Sequence, residues 1–327
     1  MSTKNVSLKS IASYFNVSIN TVSHALRDMD DVSDELKTKI RQKAIELGYM
    51  PNRVAQSMKK DERPVIAIGL GSFINLYFSA FCNEIVNIFT EKNEYGFLFI
   101  YEHEMNTDVI KQCVLQRVDL LVTHTDIAKD VEELARLKNI HIVLVGNNLH
   151  KNEYLDMVTP DNERGSKLAA RYLANFCGAK RYVYIGIDYS LSNYRYAIFQ
   201  EELRLLDKDC DVVFFNSEKR KVQELFSLIS SGYTNLFFYN DMTAYRILAE
   251  LDKMALDICK LYPDLHIIGF DGLCNIIYGM KQIATICIDY RQFAETTYNV
   301  IKNRLEQPAI PRQNVIFPVF LHQGRVK

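Results

Sequence analysis

Apolar residues recur at helical spacing in three short stretches near the N-terminus, then give way to alternating strand-like and helix-like runs. Leu8, Ile11, Ala12 and Phe15 predict a first helix behind Ser7 as its cap. Val22 and Leu26, four apart, give a second helix one apolar stripe, with Ser18 as its N-cap. Ile19, Asn20, Ser23 and His24 fall off that stripe and face outward. Asn16 and Val17 join the two helices, and Asn is one of the few residues that tolerates the left-handed conformation such a turn needs. Ser33 is expected to cap a third helix, with Asp34 and Glu35 in its first turn, Leu36, Ile40, Ala44 and Leu47 on its buried face, and Gly48 at its end. Three short helices with one polar outward face predict a small DNA-reading domain. On pattern alone, a three-helix cap on another fold remains the alternative. The acidic stretch 28–31 is expected to face away from DNA.

From Val65 the pattern becomes repeated strand–helix units. Short apolar runs at 65–69, 97–101, 120–123 and 141–145 form one series. Runs at 182–187, 212–215, 236–239 and 265–269 form a second. Alternation of this kind implies parallel sheets with helices on both faces. Two series imply two lobes with a cleft between them. Ligands of open α/β sheets bind beyond the carboxyl ends of the strands. That rule selects 71–78, 146–148, 188–195, 240–241 and 269–271.

Composition narrows the picture. A chain of 327 residues suits two or three domains. No apolar run is long enough to span a membrane, and the polar N-terminus is followed by no secretory h-region, so a cytoplasmic protein is expected. Seven dispersed cysteines without a C-x-x-C pair point to reduced thiols, not disulfides or zinc. The seven histidines show no metal spacing, so neither metal nor cofactor is expected. Net charge is −1, yet through Arg63 eleven Lys and Arg face eight Asp and Glu. That modest basic excess suits phosphate contacts by a short module. Motifs of hydrolases, P-loop NTPases and zinc proteases are missing, so no enzyme is expected.

The segments Val6-Ser7-Leu8-Lys9-Ser10-Ile11-Ala12, Val17-Ser18-Ile19-Asn20-Thr21-Val22-Ser23, Val32-Ser33 and Leu47-Gly48-Tyr49-Met50-Pro51-Asn52-Arg53-Val54-Ala55-Gln56-Ser57-Met58 resemble the LacI/GalR family of bacterial transcription regulators in order and spacing. The resemblance implies an all-α helix-turn-helix DNA-binding domain at 1–49 and a hinge helix and linker at 50–63. It also implies a two-lobed, periplasmic-binding-protein-like α/β core at 64–327 that binds effector and dimerises. Lobe 1 would hold 64–177 and 291–317, and lobe 2 would hold 178–290 and 318–327. The resemblance places Ser18, Ile19, Asn20, Thr21, Ser23, His24, Asn52, Ala55 and Met58 at DNA. Ile19, Asn20 and His24 would face bases, and Thr21, Ser23 and Asn52 would meet phosphate or sugar. Met58 stands where the family has a wedging Leu, and His24 where it commonly has Arg.

In the core, Arg195 heads a segment similar to the family's Arg-x-x-Gly-Phe, with Ile198 in place of the Gly. Asn240-Asp241 and Asp271 match family positions that meet effector, and Asp161-Asn162 resembles the family's Asp-Asn after the strand 155–158, with Asp161 as an effector candidate. Asn75-Leu76-Tyr77-Phe78 takes the place of the family's Asn-Pro-aromatic-aromatic segment, without the Pro, making Tyr77 and Phe78 effector candidates beside Ser72; core packing is the rival expectation for Phe78. A capping role is the rival expectation for Asp161 and Asp241. Tyr189, Tyr194 and Tyr196 are further aromatics near the expected cleft. The implied function is a repressor that binds a palindromic operator as a homodimer and answers to a small molecule, a sugar. A purine- or phosphoprotein-corepressed regulator is the alternative, with a sugar-processing enzyme fused to a DNA-binding domain a poorer one.

Overall fold

In the computed structural model the chain forms two compact units, Met1–Glu62 and Arg63–Lys327. The structure describes residues 7–26, 28–49, 63–70, 75–101, 105–146, 155–176, 181–214, 218–253, 258–273 and 283–324. The expected hinge helix, with Asn52, Ala55 and Met58, lies outside them, as does Ser72.

The first unit contains α1 (Leu8–Phe15), α2 (Ile19–Leu26) and α3 (Asp34–Glu46). Ser7 and Ser10 cap α1 reciprocally, and Asn16 ends it at φ 52°, in the left-handed region. Ile11, Ala12, Val22, Ala25, Val32, Ile40 and Ala44 form its core. Two expectations fail at α3. Ser33 precedes the helix but makes no side-chain cap bond. Leu47 is exposed, because the helix has ended and Leu47 leads into Gly48 at φ +64°.

The second unit is built on two six-stranded sheets. Sheet one contains β1 (Val65–Leu70), β2 (Gly96–Tyr101), β3 (Leu120–Thr123), β4 (His141–Val145), β5 (Asp156–Pro160) and β11 (Asn314–Phe317). Its order is β11-β5-β4-β3-β1-β2 and every pairing is parallel. Sheet two contains β6 (Tyr182–Gly186), β7 (Cys210–Phe214), β8 (Asn235–Phe238), β9 (His266–Asp271), β10 (Ala284–Cys287) and β12 (Phe320–His322). Its order is β12-β10-β9-β8-β6-β7, and only β12 runs antiparallel, against β10. The central strands are buried on both faces, as their continuous apolar runs require.

Helices connect the strands: α4 (Leu76–Lys92), α5 (Thr107–Leu115), α6 (Lys129–Leu137), α7 (Asn162–Ala174), α8 (Ser190–Leu205), α9 (Glu218–Ser230), α10 (Asp241–Lys253), α11 (Ile258–Leu261) and α12 (Tyr290–Glu306). Helix α12 packs on α4, β4 and β5.

The chain leaves sheet one earlier than Gly178, where the sequence resemblance places the crossing. Helix α7 directly after β5 already packs on α8, β9, β10 and β12. Gly165 permits that approach: a Cβ there would lie 2.5 Å from the Phe270 ring and 3.1 Å from Ile286. The chain crosses back between β10 and α12, and again between Phe317 and Phe320. Strands β10 and β11 are absent from the sequence reading. Among the described residues, no helix is long and apolar enough to cross a membrane.

Candidate functional site

The outward face of α2 is positioned by its own cap. Ser18 Oγ accepts from the Thr21 N–H at 3.0 Å and pairs with the Thr21 hydroxyl at 2.8 Å. Ile19 and Asn20 are exposed, while Thr21, Ser23 and His24 are half-buried. The His24 ring does not stand alone. Its Nδ1 lies 2.5 Å from Asp31 Oδ2. The acidic stretch is therefore tied to the reading face, contrary to the expectation that it faces away. Asp28 takes the other direction and pairs with Arg41 at 2.7 Å and Lys37 at 3.6 Å. The Arg41 hydrogen bond and charge hold its carboxyl below the usual range.

The second constellation collects at the carboxyl ends of the strands. Arg195, on α8, is almost wholly buried. Its Nε and Nη2 donate to Asn162 Oδ1 at 3.0 and 2.8 Å, and its Nη1 donates to the Tyr239 carbonyl at 2.5 Å. The guanidinium lies 3.5 Å over the Phe270 ring. Ile198 leaves α8 unbroken and is only half-buried.

Asp271 closes β9 in a strained conformation, φ +114°. Burial pushes its carboxyl up to about 7, against the opposing pull of Arg195. The Tyr290 hydroxyl donates to the Asp271 carbonyl at 2.9 Å. Tyr77 sits beside Tyr290, ring centroids 5.8 Å apart, and packs edge-on to Phe78. The Tyr77 hydroxyl is buried with no hydrogen-bond partner among the described residues. Its ring fits only because residue 146 is glycine: a Cβ there would lie 2.8 Å from that hydroxyl. Phe78 stacks on His124 at 3.4 Å, and burial pushes the His124 imidazole down to about 4, so the ring is neutral.

The remaining expected residues stand differently. Asp161 Oδ1 accepts from the Arg164 N–H at 2.9 Å and caps α7. Asn240 Oδ1 accepts from the Thr243 N–H at 2.9 Å, so Asn240, not Asp241, caps α10. Asp241 is fully buried; it accepts from the Thr285 hydroxyl at 2.8 Å and the Leu273 N–H at 2.7 Å. Gly269 makes room, since a Cβ there would fall 2.0 Å from Asp241 Oδ1. Tyr196 packs on Tyr184 and Phe214, and Tyr194 is exposed. Sequence reasoning missed Asn162, His124, Tyr239 and Tyr290. Asn162 was within reach, being the second half of a motif read only for its Asp.

No group of His, Cys, Asp or Glu suited to a metal occurs among the described residues.

Residues 7–52 match the family model described as bacterial regulatory proteins, lacI family. The HTH-type transcriptional repressor PurR of Vibrio parahaemolyticus is 22% identical over 319 residues, covering 91% of this chain and 92% of that protein. The ribose operon repressor of Lactococcus lactis is 22% identical over 320 residues, covering 95% of each. Among solved structures, the lac repressor dimer bound to operator and the anti-inducer ONPF matches with a TM-score of 0.80 and 19% identity, over 99% of each chain. A LacI family regulator from Enterococcus faecium with bound ribose matches with a TM-score of 0.69 and 18% identity, over 80% of this chain and 98% of that one. Residues 7–52 thus match the lacI family of bacterial regulatory proteins, and the chain shares its fold with LacI-type structures.

Proposed function

We propose that the protein is a repressor that binds palindromic operator DNA as a homodimer in the cytoplasm, with its affinity set by a sugar bound between the two sheets. The observation that carries this is the pairing, in one chain, of an exposed α2 face within a lacI-type segment and a buried Arg195–Asp271 constellation at the strand ends. Each recognition helix would enter one major-groove half-site. Asn20 would read adenine bidentately, Ile19 would pack on a thymine methyl, and His24 would face a base edge. Ser18, Thr21, Ser23 and Asn52 would meet the backbone, which positions without specifying. Ala55 and Met58 would enter the minor groove, where an apolar side chain can wedge a base step.

In the cleft, the remaining N–H groups of Arg195 and the carboxylate of Asp271 suit neighbouring sugar hydroxyls, one donating and one accepting. Tyr77 contributes a buried hydroxyl with no hydrogen-bond partner among the described residues, and Ser72 and Phe78 flank it in the chain. We assign Asp161, Asn240 and Asp241 to holding this site, since their bonds go to α7, α10 and Thr285. The Phe78–His124 stack and the purine-repressor relatives favour a second reading, a purine corepressor. Titrating sugars and purines against a preformed protein–operator complex separates the two. Release by a sugar supports the first reading, and tightening by a purine supports the second. Arg195→Ala with unchanged effector affinity would contradict both assignments of the cleft.

A further inference from the structure

We propose that Asp31 is a specificity-determining positioning residue: it holds the His24 ring by Nδ1, so that Nε2 is the nitrogen offered to a base edge. This rests on the DNA-binding reading above. Asn20 and His24 are one helical turn apart on α2, on the same face. The His24 side chain keeps 30% of its surface exposed and Asp31 keeps 58%. The pair is therefore a surface feature of the reading face and not a core contact. At 2.5 Å the carboxylate can only accept, so the proton must sit on Nδ1. That leaves Nε2 free in every charge state of the ring. A neutral ring then offers an acceptor, suited to the amino group of adenine or cytosine. A charged ring offers a donor, suited to guanine N7 or O6. In neither state does Nδ1 compete for the base. Without the carboxylate the ring can turn over and present either nitrogen, and its hydrogen-bond pattern becomes degenerate.

A further feature fits: the neighbouring carboxylate of Asp28 is occupied by Arg41 and Lys37, so it does not draw the imidazole away.

The test is selection of the full-length chain on a random duplex library, followed by anisotropy on the enriched palindrome and its single-base variants. In wild type, one symmetric pair of positions should depend on His24, with the preferred base favoured by about tenfold. Asp31→Asn should erase most of that preference and leave the other positions unchanged. Asp31→Glu, which restores a carboxylate, should recover much of it. In a His24→Ala background, Asp31→Asn should change no preference at all. Removing a negative charge also predicts a rival result: tighter binding to every duplex alike, with base preference intact. That outcome, or a preference change that persists without His24, overturns the proposal while leaving the DNA-binding reading standing. If wild type enriches no palindrome, the reading and the inference fall together.

Discussion

Burying a guanidinium costs several kcal/mol unless its N–H groups find acceptors, and Arg195 finds them chiefly on Asn162. Asn162→Ala would leave two of those N–H groups unpaired in a buried site. We expect a loss of about 2 kcal/mol of stability together with a roughly tenfold weaker effector affinity, although Asn162 need not touch the ligand. Thermal unfolding and calorimetry check the two effects. An intact affinity would show that Phe270 and Tyr239 suffice to hold Arg195. Asp271 presents the opposite balance. Its carboxyl is raised to about 7 in the folded protein, well above its ordinary value near 4. The folded state therefore binds this proton more tightly than the unfolded state does. The resulting cost is absent below about pH 4, grows as pH rises, and is complete above about 7. Asp271→Asn should remove it and raise the melting temperature at pH 8 more than at pH 5, while weakening effector binding. An equal change at both values would contradict this reading of the carboxyl.

The helices of the first unit are held by short-range devices. Ser18→Ala removes the cap of α2 and should cost about 1 kcal/mol in that unit alone. Calorimetry should then show the operator-binding unit melting earlier and the α/β core unchanged; a shift of the core transition would contradict their separation. Such devices are why this region was legible. Ser7, Ser18, Asn16 and the apolar stripes act within four residues of one another, and their pattern is written locally. The apolar runs of the central strands are equally plain, because burial on both faces leaves no polar alternation. Legibility fails where an element depends on a distant partner. Strand β11 is a half-exposed edge whose pairing with β5 spans about half the chain. Strand β10 is short and mixes Thr285 and Cys287 into its apolar run. The crossing after Pro160 depends on Gly165 meeting Phe270, and the Arg195–Asn162 bond joins residues 33 apart. The tie between Asp31 and His24 was missed although both residues lie within one small unit, because a charge run reads as a solvated face until its partner is seen.

At the scale of the whole α/β unit, three crossings of the chain link the sheets, and Asp161 and Tyr290 stand beside two of them. Helix α12 returns to sheet one and is fastened there by Arg304, whose Nε and Nη2 donate to the Asp156 carboxylate at 2.7 and 2.8 Å. Two further bonds run from Nη1 to the carbonyls of Pro308 and Ile310. Arg304→Met leaves the buried Asp156 carboxylate without its counter-charge, with only Gln313 still donating to it, so a loss of about 3 kcal/mol is expected, read as a lower melting temperature of the core. An effector that bridges the sheets can change DNA affinity only through a difference in its affinity for two states, on the order of 1–3 kcal/mol. The most direct test is anisotropy with the full-length protein and a labelled palindrome from the gene's own upstream region, at two salt concentrations, with sugars and purines added singly. The account predicts tight binding that weakens steeply with salt and is released by one sugar. Operator binding that no small molecule alters, in a protein whose cleft binds sugar, would contradict it.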